Sequence, residues 1–98
     1  MVSSLLSEHM LTDSIRRAEA EILKYLLANQ DARDTAEGVE KWWLPQSRRY
    51  GMADIAAALH NLEKRELVRV WQSASVQPIY GRGPADQAML EEYLRSLE

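Results

Sequence analysis

The side chains that most often carry chemistry are sparse in this sequence. His9 and His60 are the only imidazoles and form no pair at metal-ligand spacing. With no cysteine there is neither a thiolate nucleophile nor a disulfide, which fits a reducing cytosol. Gly81-Arg82-Gly83 is too short to cradle a phosphate and follows a hairpin pattern rather than a buried parallel strand. Asp and Glu residues are plentiful, but no nucleophile has an identifiable base beside it, so the carboxylates read as solubilising charge. These residues point away from an enzyme and toward a protein that acts by binding, with no cofactor, no metal and no small-molecule substrate.

Two binding chemistries remain, one electrostatic and one apolar. The net charge is −3, but its distribution is uneven. From Lys41 to Arg82 there are seven basic and three acidic residues, whereas the two flanks together hold five basic and twelve acidic ones. A basic middle between acidic ends keeps a polyanion in play. Arg48, Arg49 and Tyr50 precede a helix start and are the best phosphate contacts, with Arg69 and Arg82 flanking a hairpin. On the apolar side, Trp42 and Trp43 are adjacent, so on a helix they diverge by about 100°. One belongs to the core with Val39 and the other is a potential anchor for a partner, although core filling by both is the more ordinary reading of two large aromatic residues.

Those residues must be positioned by helices and one hairpin. Residues 1–12 show no settled period and read as an extension that could fray. A helix is expected over 13–28, with Thr12, Asp13 and Ser14 as cap oxygens, Ile15, Ala18, Ile22 and Leu26 as its buried stripe, and Leu23 and Leu27 widening it. Asn29 and Gln30 end it. In "DTAEGVEKWWLP", Asp34 and Glu37 are spaced as a capping box, and Val39, Trp42 and Trp43 share one helical face. Gly38 suggests close approach to a neighbouring helix, and Pro45 ends the element. A third helix spans 52–65 with Ile55, Ala58, Leu59 and Leu62 inward. Residues 67–81 form a β-hairpin, with "SASVQP" as its turn. After Gly83 and Pro84, a last helix carries Met89, Leu90, Tyr93, Leu94 and Leu97 on one stripe.

The stretch "ADIAAALHNLEKRELVRV" resembles the segment in which the recognition helix of a winged helix-turn-helix domain runs into its wing, through Leu59, Leu62-Glu63 and Leu67-Val68-Arg69. "DTAEGVEKWWL" resembles part of a small bacterial winged-helix group. The resemblance covers about residues 13–81. It implies a mainly α, α+β fold: a three-helix core, a wing, and an added C-terminal helix. In such domains 13–82 would be the winged helix and 83–98 the added helix, which often mediates dimerisation. Two departures stand out. Glu66 occupies the place of the usual glycine, so the helix exit is expected to be built differently, and Pro45–Gly51 make a long junction before the third helix.

The resemblance implies DNA, but the third helix carries few groups that read it. Ala53, Ala56 and Ala57 form no side-chain hydrogen bonds, and Asp54 would meet phosphate with the wrong charge. An alanine face instead permits close packing. The expectation is therefore a cytoplasmic, non-enzymatic protein-interaction module. Its partner-binding candidates are Trp42, Trp43, Ala53, Ala57, Tyr93 and Leu97, the last two through self-association of the C-terminal helix. The alternative is a DNA-binding regulator using Arg48, Arg49, Tyr50, Arg69 and Arg82 on phosphates. No apolar run is long enough for a membrane span, and "MVSSLLSEHM" has no basic segment of a secretory signal.

Overall fold

The computed structural model describes residues 2–45, 50–73 and 76–98, with side chains from residue 13 onward except Ser73. Helix α1 runs from Val2 to Ala28 without interruption, so the helix start expected at Asp13 is not there. The reason lies in what the supposed cap residues do. Ser14 donates its hydroxyl to Asp54 at 2.9 Å, and Asp13 pairs with Arg17 one turn on at 3.6 Å. Neither side chain is spent on a helix end. Ala18, Ile22, Leu23 and Leu26 are buried on α1 as their spacing predicts, with Ile15 and Leu27 at the margin. The helix ends in a turn in which the Asn29 and Ala32 amides bond back to Tyr25 and Asn29.

Strand β1 (Arg33–Asp34) and a short helix α2 (Ala36–Gly38) follow. The N-cap of α2 is Thr35, whose hydroxyl accepts from the Gly38 amide at 3.2 Å; Asp34 accepts from the Thr35 amide instead. The expected Asp34–Glu37 box therefore does not form: the cap is Thr35, one residue later, and Gly38 at the third helical position has no side chain to return a bond. Gly38 does mark a close approach, but to the Asp34 carboxylate, which a Cβ would overlap, rather than to another helix. The chain then widens into a π-helical turn over Val39–Trp43, closed by the Leu44 amide on the Val39 carbonyl at 3.2 Å. Leu44 is extended, as the residue before Pro45 must be.

Helix α3 (Met52–Lys64) buries Ile55, Ala58, Leu59 and Leu62, the four positions read from its period. Its exit is a Schellman turn: the Leu67 amide bonds the Leu62 carbonyl at 3.0 Å and the Glu66 amide bonds Glu63 at 2.9 Å. Glu66 stands at φ 64°, so the left-handed residue is present although glycine is not. The expectation of a different exit fails because side-chain chemistry did not decide it; the buried pair Leu62 and Leu67 closes the turn.

Strands β2 (Val68–Ser73) and β3 (Val76–Arg82) form the hairpin, and β1 adds to the far edge of β3, giving an antiparallel sheet of order β1-β3-β2. Val76 to Pro78 belong to β3 rather than to the turn. Pro78 is tolerated because it lies opposite the irregularity between Trp71 and Ser73, where the ladder is already interrupted. Helix α4 (Gln87–Leu97) starts three residues later than Pro84 suggests, on the Asp86 side chain, which accepts from the Met89 amide at 3.0 Å. It packs back on α1, burying Leu90 completely and Tyr93, Leu94 and Leu97 in part, while Met89 faces outward. The molecule is thus a mainly helical α+β fold with one small antiparallel sheet.

The core fills the space between α1, the π turn, α3, the sheet and α4. Each fully buried Ile or Leu in it contributes roughly 1.5–3 kcal/mol of transfer free energy. Among the described residues one charged side chain is inside: Glu19, 3% exposed. It accepts from Asn61 of α3 at 3.0 Å and from the Tyr93 hydroxyl of α4 at 2.6 Å, so three helices share one carboxylate.

Candidate functional site

The π turn separates the two adjacent tryptophans. An α-helical turn would align Val39 with Trp42 and Trp43 together; the wider turn keeps Trp43 in line with Val39 and swings Trp42 off that face. Trp43 is 5% exposed and stacks on Tyr25 with ring centroids 5.1 Å apart and planes 8° from parallel. Trp42 is 70% exposed. Its neighbour Lys41 is exposed as a residue too.

On α3 the outward residues include Ala53, Ala56 and His60, with Ala57 half-buried. Asp54 is not part of that surface: its bond to Ser14 ties the start of α3 to α1. Ala56, His60 and Glu63 of α3 face Val70, Gln72 and Tyr80 of the hairpin across a shallow groove of about 200 Å³. Among its described residues this groove offers one imidazole, one carboxylate, one amide and one phenol, and no arginine or lysine.

The phosphate candidates are dispersed. Arg48 and Arg49 lie outside the described residues. Tyr50 is in the core, with its ring buried near Arg17, Glu21 and Lys24 of α1, so the structure does not present it as a surface phosphate contact. Burial, and after it the negative charge of Glu21, pushes its phenol above the ordinary value. Arg82 is paired across the ladder with buried Val68, whereas Arg69 is paired with Gly81, so alternation sends the two arginines to opposite faces of the sheet.

Arg69 instead joins a cluster that the sequence does not announce. Arg33, Gly81 and Arg69 form one row across β1, β3 and β2. Trp71, two residues beyond Arg69, lies over Gly81, where an added Cβ would come within 2.9 Å of its ring. The Arg33 guanidinium carbon stands 4.3 Å from the indole centroid and that of Arg69 5.9 Å. Neither guanidinium has a carboxylate partner among the described residues. Within the hairpin Trp71 alternates to the face opposite Val68 and Val70, but Arg33 could join it only once β1 was known.

Tyr93 and Leu97 are engaged within the chain. Tyr93 is held by Glu19 and covered by the Arg65 guanidinium 4.4 Å from its ring, and the Leu97 carbonyl accepts from Arg16 at 3.3 Å. Their apolar surface thus packs largely on α1, leaving Met89 as the exposed apolar side chain of α4. Among the described residues no cluster of His, Asp and Glu could hold a metal ion, and no helix is long and apolar enough to cross a membrane. Comparison with protein families, with curated proteins and with solved structures returns no match for this chain.

Proposed function

We propose that this chain is a winged-helix domain that acts by binding a protein partner. The element order supports the fold reading: three helical elements, then a hairpin leaving the third through a left-handed residue, then an added helix. The observation that carries the function is Trp42, 70% exposed while the tryptophan next to it completes the core. An indole left in water forgoes several kcal/mol of burial, and residues of this type dominate the energetics of protein interfaces. The outward face of α3 supports the same reading, because Ala53 and Ala56 permit a close approach and offer nothing to a base edge.

The test has two arms on the whole chain. In the first, amide spectra are followed during titration with a mixed-sequence DNA duplex at low and at near-physiological salt. The protein reading expects α3 and the hairpin to stay unshifted; shifts there that fade with salt overturn it in favour of DNA. In the second, Trp42 is replaced by a photoreactive phenylalanine analogue in cells. A discrete protein adduct from position 42, absent when the probe is at exposed Gln87, is expected; adducts to DNA overturn the reading.

A further inference from the structure

We infer that the outer face of the sheet, where Arg33 and Arg69 converge on Trp71, is a docking site for an acidic segment of a protein partner. Both guanidinium carbons lie within 5.9 Å of one ring centroid, so the indole holds two cations that would otherwise repel and wander. The arrangement is built into three strands. Gly81 leaves the floor on which the ring rests, β1 brings Arg33 to one side, and β2 brings Arg69 and Trp71. Both arginines are exposed, and their donors have no carboxylate to satisfy them among the described residues. A planar guanidinium ordered on an aromatic face has already lost much of the freedom it would surrender on binding, which favours paired contacts to carboxylates.

Charge complementarity selects an anion, and geometry selects its source. Single-stranded nucleic acid is held by bases stacking on free aromatic faces, but a guanidinium already sits 4.3 Å from this indole. A duplex seated on α3 would occupy the groove lined by Val70, Gln72 and Tyr80, whose side chains alternate to the face opposite Arg69 and Trp71. Carboxylates of an extended acidic peptide can reach both arginines without either requirement. The site deepens the protein-binding reading and rests on it, yet uses neither Trp42 nor α3.

The experiment follows the arginine side-chain Nε–Hε resonances and the Trp71 indole N–H of the full chain during titration with an end-blocked octaglutamate peptide at low salt. Saturable shifts of Arg33, Arg69 and Trp71 are expected, weakened about tenfold in apparent affinity in the double variant Arg33→Gln with Arg69→Gln. An octalysine peptide should shift none of them, a control that needs no variant. Absence of shifts with octaglutamate, or the same titration in the double variant, overturns the proposal. So does a DNA duplex that saturates these resonances at lower concentration. The duplex and crosslinking arms above report on α3 and position 42, so failure on this face is distinguishable from failure of the protein-binding reading.

Discussion

Tyr93 of α4 donates its hydroxyl hydrogen to Glu19 of α1 at 2.6 Å, and the other Glu19 oxygen accepts from Asn61 of α3. Glu19 is 3% exposed, so both of its oxygens depend on the protein for what water would otherwise supply. A carboxylate in that position is tolerable only when its lone pairs are used. The charge sits where three helices meet and so fixes how α4 lies on α1. Tyr93→Phe keeps the ring and removes the donor, leaving a buried oxygen unpaired. The expected cost is about 1–3 kcal/mol, read as a lowered urea midpoint with unchanged slope.

The same bond makes stability sensitive to alkali. Burial, then the hydrogen bond to Glu19 and its negative charge, raise the Tyr93 phenol above 10.0, with Arg65 opposing. Burial likewise raises Tyr50. A folded state that holds its protons more tightly than the unfolded chain has that stabilisation in full below the unfolded value, and loses it as pH rises through the folded one. Urea midpoints should therefore hold from pH 8 to 9 and fall above 10. In Tyr93→Phe the fall should be shallower, with Tyr50 and the Lys24 ammonium, raised by Glu21 and Glu98, accounting for what remains.

Glu66 makes the exit from α3 in a conformation that costs an L-residue about 1–2 kcal/mol. Glu66→Gly removes that cost but gives the unfolded chain more freedom, so a net gain of roughly 0.5–1 kcal/mol is expected. The loop is also clamped from the far side, since the Glu66 and Leu67 carbonyls accept from Ala85 and Gly83 at 3.1 Å. Any Cβ at position 83 would press into the Glu66 carbonyl and its carbon. Gly83→Ala should accordingly destabilise while Glu66→Gly stabilises. Thermal melts of the two variants check the opposite signs.

What the sequence made legible was the part governed by period. The inward residues of α3 and most of those of α1 follow the 3.6-residue spacing, because each needs only its own helix to be placed. Features set by a partner across space were not legible. β1 is two residues long and polar, with no alternation to detect, and it exists because Gly81 and Tyr80 of β3 offer a free edge. The Arg33–Trp71–Arg69 cluster depends on that strand and on register. Thr35 and Asp86 cap their helices one and three residues from where spacing alone would put the start. The left-handed Glu66 was hidden for another reason: the residue type argued against the conformation that hydrophobic closure imposed.

The adjacent tryptophans offer the sharpest comparison between core and surface. Trp43 fills space against Tyr25 and the buried face of α1, and Trp43→Ala should cost about 3–5 kcal/mol. Trp42 is 70% exposed, so Trp42→Ala should change stability by no more than about 0.5 kcal/mol. The prediction rests on the π turn: with an ordinary α turn both side chains would share the Val39 face and both substitutions would be costly. Equal and large losses in urea denaturation would show that Trp42 is a structural residue and remove it as an anchor. A large loss at 43 beside a negligible one at 42 would leave Trp42→Ala as a folded variant, in which any loss of partner binding reports on the surface alone.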